Sequence, residues 1–127
     1  MRTISEILSP LTEEQKAAVQ DYNGRIFLNA APGSGKTACI VARTEYMIAN
    51  GVRPESILLF TFTKKAAEEM RSRLEKKIGT VAKHMTICTY HSFCARLLRK
   101  YADLVGWTKD FSIYDENDKK EIFNKIV

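Results

Sequence analysis

The sequence predicts an α/β fold with a parallel sheet flanked by helices. Three short apolar segments alternate along the chain with segments whose apolar residues have helical spacing. This order is typical of parallel sheets, because a parallel strand needs a crossover connection before the next strand begins. The 127 residues are enough for one domain, and no apolar run is long enough to span a membrane.

The predicted elements follow one another in a regular order. A leading helix begins after Leu11, because Thr12 and Gln15 have the spacing of a capping box. The predicted strands cover residues 25–30, 56–61 and 85–89, and the later helices cover residues 37–50, 64–78, 91–104 and 115–126. The side chains expected to face the core are Ile40, Val41, Thr44, Met47 and Ile48, then Ala67, Met70, Leu74 and Ile78, then Leu97, Leu98, Tyr101, Leu104 and Val105; Ile122, Phe123 and Ile126 form the apolar side of the last helix.

The net charge of +5 is unevenly distributed along the chain. Residues 57–101 hold ten Lys and Arg against three Glu, a net of +7, so the rest of the chain sums to −2. A basic segment on a nearly neutral body favours an anionic polymer as partner. The alternative is a solvated basic helix face, which charge alone does not exclude.

The three cysteines, Cys39, Cys88 and Cys94, do not indicate a disulfide framework, because they are few and odd in number. With no apolar signal segment at the N-terminus, they favour an intracellular, reducing compartment. A zinc site that adds His84 and His91 is the alternative, but its spacing differs from the usual Cys-x2-Cys pairs. We therefore expect buried thiols.

The strongest motif is Ala30-Ala31-Pro32-Gly33-Ser34-Gly35-Lys36-Thr37, between a predicted strand and a predicted helix. This context indicates a P-loop. Gly33 and Gly35 permit positive φ, so that consecutive N–H groups surround an anion. Lys36 is placed to neutralise the β- and γ-phosphates, and the Thr37 hydroxyl is placed to bind Mg²⁺.

The P-loop departs from the general pattern at Ala30, where Gly is usual. A P-loop alone does not choose among kinases, GTPases and motor proteins. A small-molecule kinase also needs an acceptor pocket and a lid, and the sequence indicates neither.

Three further motifs choose among these classes: Leu11-Thr12-Glu13-Glu14-Gln15-Lys16-Ala17-Ala18-Val19, Thr61-Phe62-Thr63-Lys64-Lys65-Ala66-Ala67-Glu68-Glu69-Met70, and Thr89-Tyr90-His91-Ser92-Phe93-Cys94-Ala95-Arg96-Leu97-Leu98-Arg99. Together with the P-loop they closely resemble the N-terminal part of UvrD/Rep-type superfamily 1 DNA helicases. In the order given, the three segments resemble the Q motif, motif Ia and motif Ib of that family. The resemblance covers about residues 10–125, and four collinear motifs make it specific. It implies a partial RecA-like P-loop NTPase domain.

The resemblance also implies roles for the matching residues. Gln15 would hydrogen-bond the adenine of ATP, and Phe62 would stack on a base of single-stranded DNA. Thr63, His91 and Ser92 would contact the DNA backbone. The residues implied in binding ATP and Mg²⁺ are Gln15, Ala31, Pro32, Gly33, Ser34, Gly35, Lys36 and Thr37; Lys36 and Thr37 would be the catalytic pair, and Thr37 would bind the Mg²⁺ carried with ATP.

Each of the predicted contact residues has a structural alternative. Gln15 also fits the third position of the capping box, and Phe62 could pack in the core at a strand end. Thr63, His91 and Ser92 could each cap a helix. These alternatives stay open at the level of the sequence.

Two residues depart from the pattern that is usual in the family. Lys64 stands where the family usually has Asn, and it adds a charge beside the predicted DNA contacts. Tyr90 stands where the family usually has Phe, and it adds a hydroxyl group. The overall resemblance is unaffected, but the surroundings of the DNA contacts differ.

The acidic element that completes such an ATPase is expected beyond this chain. In the family this Walker B element is an apolar strand that ends in Asp-Glu, holds Mg²⁺ and positions water. Residues 111–116, Phe-Ser-Ile-Tyr-Asp-Glu, have a similar outline, but Ser112 interrupts the apolar run and Lys109 and Asp110 precede it. We expect residues 1–110 to form the N-terminal part of the ATP-binding domain and residues 111–127 to begin a truncated inserted helical subdomain.

The resemblance implies the ATP-binding segment of a 3′-to-5′ ATP-dependent DNA helicase that moves on single-stranded DNA, in the cytoplasm at the nucleoid. The Walker B element and a second motor domain would be required for activity, so this segment alone is expected to bind nucleotide without hydrolysing it. One alternative is a nucleotide- or DNA-binding module without turnover. Another is the motor part of a recombination helicase–nuclease.

Overall fold

The computed structural model describes residues 2–28 and 35–127. The chain forms two compact units, Met1–Tyr90 and His91–Val127, and each is described by itself. The helices and strands are α1 (Ile4–Leu8), α2 (Glu13–Gln20), α3 (Lys36–Ala49), β1 (Leu58–Thr61), α4 (Lys64–Ile78), β2 (Thr86–Thr89), α5 (Tyr90–Lys100) and α6 (Glu116–Ile126), with short 3₁₀ helices at Pro54–Ser56, Gly79–His84 and Ala102–Val105.

The sheet of the first unit is parallel, as the alternating pattern predicted. Strands β1 and β2 pair in a register that runs from Leu58 opposite Thr86 to Thr61 opposite Thr89. The crossover between them is α4, which packs on the sheet. The α/β class with a parallel sheet flanked by helices is therefore confirmed.

The strand predicted at residues 25–30 is wrong for the part that the structure describes. Residues 25–28 form no strand, and Phe27 is 91% exposed. Residues 29 and 30 lie outside the described residues. An apolar run becomes a strand only when a neighbouring strand satisfies its backbone groups. Among residues 2–28 and 35–127, β1 and β2 pair only with each other.

The main core of the first unit lies between α4 and the sheet. All four side chains predicted for the inner face of α4 are buried, and they pack with Ile57 and Ile87 from the sheet side. Their three- and four-residue spacing places them on one helix face, so local sequence was sufficient to identify them. These four are Ala67, Met70, Leu74 and Ile78.

Helix α3 buries a wider arc than its sequence predicted. Val41 belongs to the main core, whereas Cys39 and Ala42 pack with Ile7 and Val19 in a second cluster. Because α3 is covered from two sides, its buried face is not the single predicted stripe. Ile40, expected to be buried, is exposed.

A buried carboxylate on α3 is held by the N-terminal segment. The Glu45 side chain is 0% exposed and accepts two hydrogen bonds from Arg2, at 3.1 Å from Nε and 2.6 Å from Nη2. The hydrogen bond to Glu45 raises the pKa of Arg2. A buried carboxylate is tolerated only when it is paired and hydrogen-bonded, so this pair fastens the start of the chain to α3.

We expect Arg2→Ala to lower the free energy of unfolding by about 2 kcal/mol, because it leaves the Glu45 charge buried without its partner. The value is below that of a fully buried pair, since Arg2 is partly exposed. Urea unfolding of the purified chain measures it. The matched control is Lys16→Ala, which removes the exposed ion pair to Glu13 and should change stability by less than about 1 kcal/mol. Equal effects of the two substitutions would contradict a structural role for the Arg2–Glu45 pair.

The second unit exposes most of its predicted apolar face. The helix predicted at residues 91–104 ends at Lys100, and a 3₁₀ turn follows. Helical spacing shows which side chains share a face, but burial requires another element against that face. The exposed side chains are Leu97, Leu98, Tyr101, Leu104 and Val105, and in α6 Ile122, Phe123 and Ile126.

No helix among the described residues combines the length and the apolar character needed to cross a membrane.

Candidate functional site

The turn into α3 has the geometry that the P-loop motif requires at its end. Gly35 has φ 89° and ψ 21°, in the left-handed region where glycine carries no steric penalty. Lys36 and Thr37 are the first residues of α3, and both side chains are exposed. The N–H groups of a helix start favour a negatively charged ligand. The other predicted phosphate-loop residues, Ala31, Pro32, Gly33 and Ser34, lie outside the described residues.

Gln15 lies beside this turn. Its Oε1 accepts a hydrogen bond from the Thr12 backbone at 3.1 Å, and the Thr12 hydroxyl accepts one from the Gln15 backbone at 3.2 Å. The capping box is therefore confirmed. A methyl group built on Gly35 would lie 3.4 Å from Gln15 Nε2. The structure thus brings the Q motif next to the Gly-Lys-Thr turn.

Gln15 also lines a cleft of about 510 Å³. This volume is in the range of small-molecule sites. Apolar side chains of α1 and α3 and of the segment before α2 form part of the wall, and three basic side chains of α4 form another part. Sequence reasoning missed this cleft, because its walls come from four helices, α1 to α4, and from residues outside them. The lining residues are Arg2, Ile7, Pro10, Leu11, Gln15, Ala38, Val41, Ala42, Glu45, Arg73, Lys76 and Lys77.

Phe62 and Thr63, which follow β1 and were predicted to contact DNA, differ in their surroundings. Phe62 is 92% exposed, so the alternative of core packing is wrong. Thr63 is the N-cap of α4, and its hydroxyl accepts a hydrogen bond from the Ala66 backbone at 3.1 Å. The cap alternative is therefore confirmed for Thr63. Its predicted DNA contact stays a prediction.

The start of α4 is basic. Lys64 and Lys65 occupy its first turn and are exposed, and that turn has no acidic side chain. Positive charge at a helix start is unfavourable for the helix itself, but it adds to the attraction of an anion there. Arg71 has a different role, because its guanidinium donates to the Ile87 carbonyl at 2.8 Å and ties α4 to β2.

The residues predicted to contact DNA after β2 lie in the first turn of α5. Tyr90 is the last residue of the first unit, and its ring packs on Phe60 with centroids 4.4 Å apart. In the second unit, His91 is exposed and Ser92 is partly buried. Their contact with DNA stays a prediction.

The cysteines only partly follow the expectation of buried thiols. Cys39 and Cys88 are buried, but Cys94 is exposed on α5. Burial raises the pKa of the Cys39 thiol. Within the described residues no three His, Cys, Asp or Glu side chains are grouped as a metal site would need.

Residues 111–116 do not form an acidic strand end. No strand is present there, and Asp115 is instead the N-cap of α6. Its carboxylate accepts from the Asp118 backbone at 2.8 Å, while Asp118 accepts from the Asp115 backbone at 2.9 Å. Hydrogen bonds from the backbone N–H of Asp118, and then from that of Asn117, lower the pKa of Asp115. Asp115 of this segment thus caps α6, and Glu116 forms an ion pair with Lys119 at 2.8 Å.

Fold and site together define an α/β domain in which α3 begins with Lys36 and Thr37 directly after a left-handed Gly35, as at the end of a P-loop. Residues 11–127 match the UvrD/REP helicase N-terminal domain. The chain belongs to this family, and its fold is a partial RecA-like domain, as the resemblance implied.

Two relatives show the extent of the match. The chain is 35% identical over 125 residues to the ATP-dependent DNA helicase PcrA of Staphylococcus aureus and, equally, to that of Staphylococcus epidermidis. Each match covers 98% of this chain and 17% of the relative. The chain thus spans about a sixth of the length of these relatives.

Proposed function

We propose that this chain is the ATP-binding N-terminal segment of a 3′-to-5′ ATP-dependent DNA helicase that moves on single-stranded DNA in the cytoplasm, at the nucleoid. The observation that carries the proposal is the left-handed Gly35 ahead of an exposed Lys36 and Thr37, with Gln15 beside them. Family membership supports the helicase class, and this geometry supports the proposed binding of ATP.

The residues at the start of α3 fit ATP with Mg²⁺. Lys36 is exposed and carries the positive charge that the β- and γ-phosphates need, while the exposed Thr37 hydroxyl is a hard oxygen ligand suited to Mg²⁺. Bound Mg²⁺ would neutralise charge that develops on the phosphates. In this proposal residues 31–34 complete the phosphate loop.

Gln15 is the residue we assign to the adenine. Its amide oxygen is held by the Thr12 backbone, which fixes the plane of the amide and aims Nε2 towards the Gly35 side. A primary amide offers both a donor and an acceptor to the edge of a base. In this proposal the Gln15 side chain both completes the capping box of α2 and binds the adenine.

The proposed DNA contacts are Phe62, Thr63, His91 and Ser92. Phe62 has the exposure that stacking on a base requires, and the basic residues after it suit the phosphate backbone. Affinity for single-stranded DNA should show little sequence preference and should fall as salt rises.

Turnover is proposed to need the rest of a longer protein, with a Walker B element and a second motor domain. Asp115, whose position resembled a Walker B carboxylate, is occupied with capping α6. In this proposal residues 1–110 belong to the ATP-binding domain, and residues 111–127 begin an inserted helical subdomain.

The test compares the 127-residue chain with the full-length protein that contains it. We expect the chain to bind Mg·ATP weakly and not to hydrolyse it measurably, with or without single-stranded DNA, whereas DNA should stimulate hydrolysis by the full-length protein. Release of phosphate measures both. Hydrolysis by the chain that disappears in its Lys36→Ala variant would contradict the need for further elements. A full-length protein that binds ATP and DNA but has no turnover would indicate a binding module instead.

A second substitution separates the two roles of Gln15. Gln15→Glu keeps an acceptor oxygen for the Thr12 backbone N–H, since Glu also completes a capping box, but it removes the amide donor. We expect unchanged thermal stability and a loss of ATP affinity of about 1 kcal/mol or more in the full-length protein. Thr12→Ala is the matched control, because it removes the other half of the cap while leaving the Gln15 amide. A loss of stability without a loss of ATP affinity in Gln15→Glu would limit Gln15 to its capping role.

A further inference from the structure

Tyr90 presents an aromatic ring at the carboxyl end of the sheet. The ring lies against Phe60 of β1, with centroids 4.4 Å apart and ring planes inclined by 34°. Tyr90 is nevertheless 61% exposed, so that contact with Phe60 leaves much of the ring accessible. A half-exposed aromatic ring that is supported from one side can offer its free face to a flat ligand.

The strand register brings this ring close to Phe62. Thr61 pairs with Thr89 at the end of the sheet, and Phe62 and Tyr90 are the residues that directly follow the two strands. Neighbouring strands are about 4.8 Å apart, so the two aromatic residues start from adjacent backbone positions. Phe60, which supports Tyr90, lies on β1, two residues before Phe62.

The charges beside these rings suit a nucleic acid. Lys64 and Lys65 follow Phe62 and are exposed in the first turn of α4. Accessible aromatic faces next to basic side chains are the combination by which proteins bind single strands without reading sequence, since every base has a π face. An apolar protein segment would not use the two lysines.

We propose that Tyr90 stacks on a base of single-stranded DNA next to the base that Phe62 contacts, with Phe60 as the residue that positions the Tyr90 ring. This inference rests on the DNA binding proposed above and adds a second base contact to it. The stacking face of the ring is the binding element, and the phenol hydroxyl is secondary.

The test measures affinity for a fluorescein-labelled oligothymidylate by anisotropy, with the full-length protein that contains this chain. Tyr90→Leu keeps an apolar side chain but removes the π face, and it should weaken binding about five-fold or more. Tyr90→Phe restores the face and should recover most of that loss. Tyr114→Leu is the matched control, because Tyr114 is 58% exposed in the second unit, and it should bind as the wild type does.

Photo-crosslinking of the wild-type protein to an oligonucleotide with 5-iodouracil gives an independent readout, which also decides the matter if Tyr90→Leu does not fold. We expect crosslinked peptides at both Phe62 and Tyr90. Wild-type affinity in Tyr90→Leu, or crosslinks at Phe62 without Tyr90, would overturn this inference and leave the proposed DNA binding intact. A wild-type protein that does not bind the oligonucleotide would overturn the proposed function and this inference with it.

Discussion

Lys36→Ala is expected to abolish ATP hydrolysis and DNA unwinding by the full-length protein while its fold stays intact. Lys36 is exposed at the first position of α3, directly after the left-handed Gly35, and it makes no contribution to either hydrophobic cluster. Its proposed partner is the phosphate charge that grows in the transition state. Loss of one such electrostatic contact lowers turnover by at least about a hundred-fold.

The measurements for Lys36→Ala are steady-state ATPase activity, strand separation and a thermal melt. Lys125→Ala is the control, since Lys125 is an exposed lysine in the last turn of α6 and far along the sequence from the motifs. It should retain activity. A Lys36→Ala protein that loses its cooperative melting transition would show that Lys36 has a structural role. Retained ATPase activity would remove the start of α3 as the phosphate site.

Phe62→Ala is expected to weaken the binding of single-stranded DNA by roughly 1 to 3 kcal/mol, the range for losing one stack between a base and an aromatic ring. The side chain is 92% exposed, so its removal leaves no cavity and should cost little stability. ATP affinity measured without DNA should be nearly unchanged. The proposed ATP contacts are Gln15 and the start of α3, and Phe62 is part of neither.

A fluorescence titration of the full-length protein at two salt concentrations measures this effect. The loss caused by Phe62→Ala should be similar at both concentrations, whereas the affinity of wild type and variant should fall together as salt rises, because phosphate contacts release counterions. Phe123→Ala, at an exposed Phe of α6, is the control. Equal DNA affinity of Phe62→Ala and wild type would remove Phe62 from the DNA contacts.

The two salt concentrations also separate Phe62 from its basic neighbours. Lys64→Ala should change the slope of affinity against salt concentration by about one counterion, because it removes one positive charge near the phosphates. Phe62→Ala should leave that slope unchanged. The two variants therefore distinguish the contribution of stacking from that of charge at the same end of the sheet.

Much of the local structure could be predicted from the sequence, because the interactions that decide it connect residues three or four positions apart. The capping box of Thr12 and Gln15 and the inner face of α4 were both predicted correctly. Gly35, predicted to permit positive φ, has φ 89°. The family could be predicted too, since four motifs in a fixed order are a property of the sequence itself.

Local patterns failed where burial depends on what covers a face. Residues 25–28 have the composition of a strand but form none, because a strand exists only with a paired neighbour. Leu97 and Leu98 have the spacing of an inner face yet are exposed. Periodicity identifies which side chains lie together, whereas burial is set by elements distant in sequence.

What the sequence by itself determined was the α/β class, the family and the chemistry available at Gly35, Lys36 and Thr37. Only the tertiary structure decided that Gln15 lies beside Gly35, that Glu45 is buried against Arg2, and that Phe62 is exposed rather than in the core. These facts depend on contacts between segments that are far apart along the chain. Local sequence does not determine these contacts, because each one forms only when the surrounding helices and strands have packed together.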